Sequence, residues 1–362
     1  MSTTVGLYGA SGTSYVLQQA VNTLTDEQTD LAAQTSTGVK SQSYAGLGDD
    51  RAQALSLQPQ ITAVSTWQTT VSSAQTNLSV TQTALTQISS IASSLQTSVL
   101  SLSGNLGQQE LQTIAATAKS DLAQLGTLLN TTSGTGYVFA GTDSTNPPVT
   151  DASDLATSTL ATETASAVSS LSTDGAAAVF QQATVYASDN SSSTSVFSSA
   201  LSVSADSVST SSLESKAVVG PDGATSTTGM VATEGTEASS DTTTGSPIRD
   251  LMRNLMIVAS LGSADTSSSQ FSDLVSTLQS ATTSNSSALT AKQGSLGITQ
   301  NTLTSQASLL TSMSTMLSSQ LDDTKSVDYA TLSTQTTQIQ DQLQASYTLI
   351  SDMKSMTLAS YI

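Results

Sequence analysis

The side chains that most often carry out catalysis are scarce in this chain. Its 362 residues include no Cys and no His, which excludes thiol chemistry and removes the commonest general base. Serine is abundant, but a nucleophilic serine needs an activating base. A Ser-x-x-Lys pattern at Ser351 and Lys354 falls in a segment with helical periodicity, where a solvated helix face explains it better than an active site. We therefore predict no catalytic residues and no enzyme activity.

Carboxylates and glycines give equally weak signals for a metal or phosphate site. Two aspartate pairs, Asp49-Asp50 and Asp322-Asp323, consist of adjacent residues, which point to different faces of a helix. Their spacing is not that of an EF-hand, and we expect both pairs to cap helix starts. No GxxxxGK pattern accompanies Gly46 and Gly48. We predict no metal site and no cofactor.

Charge narrows the range of partners. The chain has 27 acidic and 9 basic residues and a formal net charge of −18, so it repels phosphates and anionic lipid heads. No apolar run approaches the roughly 18 residues that span a bilayer. The opening residues lack a basic leader and a sustained apolar core. We expect no nucleic-acid partner, no membrane insertion, and either a cytoplasmic location or export without a cleaved signal.

Both ends of the chain show an apolar repeat that steps by three and four residues, as one face of a helix does. The first repeat ends at Gly38. Since neither helix can bury this face within itself, we expect the two to pack together as an inner coiled coil. The predicted seam, which we also expect to serve as an assembly interface, comprises Leu17, Val21, Leu24 and Leu31 with Leu332, Ile339, Leu343, Ile350 and Met353.

The same spacing continues inward and predicts two longer helical segments that form a rod. Pro59 lies near the start of the first segment, where we expect a kink or a later true start. Several slots of the repeat hold Gln, Thr or Ser. The predicted rod seam is Leu57, Ile61, Val64, Val71, Leu78, Leu85, Leu303, Leu310, Met313 and Leu317.

Between the helical segments the composition changes to Ser, Thr, Ala, Gly and Asp. Short strands are predicted at 179–180, 184–186, 195–197 and 216–219, with a turn at Pro221–Gly223. The fold class is therefore mainly α: nested long antiparallel helices form an inner coiled-coil domain (1–40 and 322–362) and a rod domain (41–149 and 246–321). A small β-containing outer insert (150–245) completes the chain.

Four segments resemble the bacterial flagellin family, which includes filament flagellins and the hook–filament junction protein. They are STGVKSQSYAGLGDDRAQAL after the first helix, GTGYVFAGTDSTNPPV before the insert, GSLGITQNTL in the last rod helix, and VDYATLSTQTTQIQDQLQASYTLISDMKSMTLASYI at the end. The resemblance covers about residues 1–145 and 248–362. It implies an inner domain of both terminal helices, a rod, and a variable outer domain.

The resemblance also implies a structural, extracellular role in the flagellum. The expected partners are copies of the same chain, hook-associated proteins and cap, a flagellar export chaperone and the type III export apparatus. A filament subunit is our first expectation, and the junction protein is the alternative, since YVFAG at Tyr137–Gly141 is closer to that protein. A secreted adhesin or carbohydrate-binding rod, with its site in the insert, is a third possibility.

Overall fold

A computed structural model of the chain describes residues 10–104, 107–209 and 212–355. It is mainly α-helical with two small antiparallel sheets, which confirms the predicted fold class. The helices are α1 (Ala10–Thr37), α2 (Arg51–Leu102), α3 (Gln108–Leu129), α4 (Thr159–Ser169), α5 (Leu171–Asp174), α6 (Ala176–Ser188), α7 (Pro247–Ser260), α8 (Ser269–Lys325) and α9 (Tyr329–Ser355). The strands are β1 (Thr132–Ser133), β2 (Gly136–Tyr137), β3 (Lys216–Val218) and β4 (Thr225–Thr227).

The chain forms two compact units. The first comprises Met1–Ala63 and Ser312–Ile362, and the second comprises Val64–Thr311. Helices α2 and α8 each contribute residues to both units. The three-part division into inner, rod and outer domains stays a prediction.

In the first unit, α1 packs against α9. Helix α1 ends as predicted at Gly38, whose φ of +71° suits glycine and whose N–H donates to Gln34 O at 2.8 Å. Pro59 lies inside α2, which runs unbroken from Arg51.

In the second unit, polar side chains join α2 to α8 at successive positions. Gln75 Nε2 donates to Thr304 Oγ1 at 3.3 Å, and Gln96 Nε2 donates to Thr283 Oγ1 at 3.1 Å. Because the contact on α8 moves backward as that on α2 moves forward, the two helices run antiparallel. Within this unit Val64, Val71, Leu78, Leu85, Leu303 and Leu310 are buried.

Helix α7 lies at the centre of the second unit and contacts α3, α4 and α6. Nearly every side chain from Pro247 to Ala259 is buried, and Asp250 is half-buried. A helix that is buried all round is a core helix. This one also buries Arg249 and Arg253, which the apolar periodicity gave no reason to expect.

The insert contains more helix than predicted. Val179-Phe180 and Thr184–Tyr186, which we expected to be strands, lie in α6, so that prediction is wrong. Val179, Phe180 and Thr184 are buried in α6, which packs against α4 and α7, and such tertiary contacts override β propensity. The predicted strand at 216–219 is confirmed as β3, which pairs with β4 across the predicted turn.

Candidate assembly interface

The terminal helices bring most of the predicted inner seam into one cluster. Val21 and Leu31 of α1 are buried against Leu332, Ile339 and Leu343 of α9. Leu24 and Ile350 are half-buried against this cluster, and Leu17 and Met353 are half-buried. These contacts lie within one chain, so the seam holds α1 and α9 together, and its role between copies stays a prediction.

Large apolar side chains on the same two helices remain uncovered. The exposed fractions are 69% for Tyr15 and 57% for Val16 on α1, and 56% for Tyr347 and 51% for Leu349 on α9. A shallow groove beside Tyr347 is lined by Thr25 and by Leu343. Exposed apolar side chains on these helices are available for contact with other proteins.

A short β-bridge joins the chain just after α1 to the chain just before α9. Val39 pairs with Ser326, and Lys40 N donates to Lys325 O at 2.7 Å. On the other side, Val327 N donates to Gly38 O at 3.1 Å. The bridge thus satisfies backbone groups just outside both helices and sets how they enter the pair.

Two lysines reinforce this junction. Lys40 Nζ donates to Asp50 Oδ2 at 2.5 Å and to Thr324 O at 3.3 Å, and Lys325 Nζ lies 4.8 Å from the centre of the Tyr44 ring. Sequence reasoning missed the contacts of Lys40 with Thr324 O and of Lys325 with Tyr44, because each joins residues about 280 positions apart.

The second aspartate pair does not have the predicted capping role. Asp322 and Asp323 lie in the last turn of α8, so the expectation of a helix start there is wrong. Helix α9 is instead capped by Asp328, whose carboxylate accepts from Ala330 N and Thr331 Oγ1, both at 2.9 Å. Both hydrogen bonds, the one from Thr331 having the larger effect, hold the pKa of Asp328 below its ordinary value.

The remaining rod-seam residues lie in the first unit, and the rod also has exposed apolar side chains. Leu57 and Leu317 are buried, and Ile61 and Met313 are half-buried. In the second unit, Leu100, Ile298 and Leu309 are 65%, 69% and 53% exposed. The buried seam therefore accounts for only part of the apolar surface of α2 and α8.

Comparison with known proteins gives a family match for one region of the chain. Residues 277–362, which include most of α8 and all of α9, match the family model "Bacterial flagellin C-terminal helical region". The match supports assignment to the bacterial flagellin family. A search of curated proteins finds no match for the chain.

Flagellins are structural proteins that self-assemble into filaments, and the match supports a structural subunit of the flagellar-filament type. The matched region contains α9 and therefore five of the nine inner-seam residues. Over the part of the chain that the structure describes, no helix is long and apolar enough to cross a membrane. The same residues contain no cluster of three or more metal-ligating side chains.

Proposed function

We propose that the chain is the repeating subunit of an extracellular flagellar filament. Copies associate through the terminal helices and through the exposed surfaces of α2 and α8. Support comes from the family match at the C-terminal end and from the exposed apolar side chains on both helix pairs.

The observation that most strongly supports this proposal is the distribution of charge along the sequence. No charged residue occurs between Arg51 and Glu110 or between Lys292 and Asp322, stretches that include almost all of α2 and half of α8. Residues 150–245, by contrast, hold eleven acidic residues and one lysine, a net charge of −10. Copies of an acidic chain repel one another, so a contact surface without charges allows them to approach closely.

The second part of this proposal concerns the terminal helices. The inner-seam residues hold α1 against α9, and the exposed Tyr15, Val16, Tyr347 and Leu349 face neighbouring copies. In this scheme residues 1–40 and 322–362 form the inner domain, 41–149 and 246–321 the rod, and 150–245 the outer domain. Hook-associated proteins, the cap, the export chaperone and the type III apparatus are the proposed further partners.

The exposed side chains give the sharper test. Replacing Leu343 and Ile350 by Asp should abolish assembly, but Leu343 is only 7% exposed, so this change also breaks the pair within one chain. Tyr347→Ser with Leu349→Ser leaves that cluster intact. If both side chains are buried between copies, each contributes about 1.5 kcal/mol or more, and the critical concentration for assembly rises at least tenfold.

The assay is seeded polymerisation of purified chain in precipitating salt, followed by light scattering and negative-stain microscopy. Gln338→Ser with Gln342→Ser is the matched control, since both glutamines are exposed on α9. We expect filaments from the wild type and the control, and circular dichroism of the Tyr347/Leu349 variant equal to wild type. Normal assembly by that variant would refute the terminal-helix contact.

The same assay separates the alternatives. Long filaments support the filament subunit. Capping of isolated hook ends without polymer supports the junction protein, whose exit segment the stretch Gly134–Val149 resembles. Neither product, together with ligand binding, supports a surface adhesin.

A further inference from the structure

The sequence contains two Asp-Gly pairs, Asp174-Gly175 and Asp222-Gly223. An aspartate followed by glycine can rearrange without an enzyme, because its side-chain Cγ can reach the backbone nitrogen of the next residue. Glycine lacks the Cβ that would hinder this approach. The reaction still requires the local backbone to change conformation, so the fold decides which of the two pairs reacts.

The pair Asp222-Gly223 lies in the turn of the β3–β4 hairpin. Pro221, Asp222 and Gly223 are all exposed, and Pro-Asp occupies the two central positions of the turn. Gly223 N donates to Gly220 O at 3.3 Å, which is long for a hydrogen bond of this type. A hairpin of two short strands is only marginally stable by itself, so this turn opens readily.

Few contacts restrain the reacting groups of this turn. Among the residues that the structure describes, the Asp222 carboxylate takes part in no hydrogen bond or ion pair. A Cβ built on Gly223 would meet no atom of these residues within 4 Å. The side chain is therefore free to turn toward the Gly223 nitrogen, and there is room for a ring to form.

The other Asp-Gly pair is held by helical hydrogen bonds on both sides. Asp174 is the last residue of α5, and Gly175 directly precedes α6. Asp174 N donates to Ser170 O at 2.9 Å. Gly175 N donates to Leu171 O at 3.1 Å, and Gly175 O accepts from Val179 N at 3.1 Å. A rearrangement here would break the end of one helix and the beginning of the next.

We infer that Asp222 is a self-modifying site, at which the chain converts aspartate into isoaspartate. The Gly223 nitrogen attacks Cγ of the neutral Asp222 carboxyl group, and the hydroxyl of that group leaves with the amide proton as water. The product is a five-membered succinimide ring. Water then opens the ring, and opening at the former backbone carbonyl leaves Gly223 bonded to Cγ. One water is released and one is taken up, so the step needs no oxidant, cofactor or partner.

The conversion lengthens the backbone of the turn by one carbon atom and frees the α-carboxylate. This turn rests on α8, since Gln306 Nε2 donates to Val219 O at 2.9 Å and would lie 3.0 Å from a Cβ on Gly220. We therefore expect β3 and β4 to lose protection from hydrogen exchange after the conversion. If copies persist in a filament, modified copies accumulate with age; this consequence rests on the proposed function, whereas the reaction itself does not.

The test incubates the full, unpolymerised chain for weeks at body temperature and neutral pH, so its outcome is independent of whether filaments form. Trypsin cuts after Lys119, Lys216 and Arg249, which places the two Asp-Gly pairs in the separate peptides 120–216 and 217–249. Isoaspartate in each peptide is measured by enzymatic methylation of its free α-carboxylate. We expect it to accumulate in 217–249 roughly fivefold faster or more than in 120–216, because the turn opens more easily than the two helix ends.

Asp222→Glu should abolish the signal in 217–249, since glutamate would have to form a larger and less favourable ring. Asp174→Glu is the matched control and should leave that signal unchanged. In urea the two peptides should react at similar rates, which shows that the fold makes the difference. The proposal is overturned if the folded chain forms no isoaspartate in 217–249, if Asp222→Glu forms as much as wild type, or if both peptides of the folded chain react equally fast.

Discussion

Replacing Arg253 by Met removes the most completely buried charge of α7 while keeping most of the side-chain volume. Arg253 is 1% exposed, and its guanidinium lies 4.4 Å from the centre of the Phe180 ring. It donates to Thr242 O at 2.9 Å and to Asn254 Oδ1 at 2.9 Å. Burial lowers the pKa of Arg253 to about 10, with Asp250 opposing the shift, so the side chain is charged at neutral pH.

The magnitude follows from what the substitution leaves behind. Asp250 keeps its bonds from Thr243 and Thr244 but loses its cation, and Thr242 O and Asn254 Oδ1 lose their donor. Removing one partner of a buried ion pair costs about 3–5 kcal/mol. For a unit of this size we expect the melting temperature to fall by on the order of 10 °C.

The assay is thermal and urea unfolding followed by circular dichroism, with hydrogen exchange at α6 and α7. Arg51→Met is the control, since Arg51 is exposed and its loss should change the free energy of unfolding by less than about 0.5 kcal/mol. Equal destabilisation by the two variants would refute the reasoning. Arg253→Lys should fall between them, because it keeps the charge but loses the planar fork.

Two further predictions concern the first unit. Gly38→Ala places a Cβ 3.0 Å from Tyr329 Oη at a φ of +71°, so we expect the free energy of unfolding to fall by roughly 1 kcal/mol, measured by thermal unfolding. Gly107→Ala is the control, since a Cβ there has no atom of the described residues within 4 Å, and an equal loss there contradicts the argument. The pKa of Asp328 is lowered in the folded chain, so its stabilisation is present above the unfolded pKa and disappears as pH falls through the folded one. Asp328→Asn should therefore flatten the acid dependence of α9 melting below about pH 4, and an unchanged pH profile would contradict the cap.

The long helices were predictable because their apolar residues follow one period over many turns. Val71, Leu78 and Leu85 recur every seven residues, and all three are buried. The helical stop at Gly38 was equally readable, since glycine adopts positive φ at low cost. The family resemblance rested on four segments, and the last two of them lie within the region that matches the flagellin C-terminal model.

The structure of the insert could not be predicted from local patterns in the same way. Val179 and Phe180 are residues that favour strands, yet they lie in α6 because packing on α4 and α7 outweighs local preference. Asp322 and Asp323 resembled a cap, but α8 continues through them and Asp328 takes that role. Local sequence patterns cannot tell which of several nearby aspartates caps a helix, since all have the same short-range chemistry.

By itself, the sequence determined the helical architecture, the lack of His and Cys chemistry, and the uncharged stretches of α2 and α8, because these are properties of composition and period. Only the tertiary structure decided that Lys40 meets Asp50 beside Thr324 O, that Arg253 stacks on Phe180, and that Asn285 Nδ2 donates to Pro247 O. The physical reason is distance along the chain. Each of the last two contacts joins residues at least 38 positions apart, and Lys40 and Thr324 are separated by 284, so no local pattern records them.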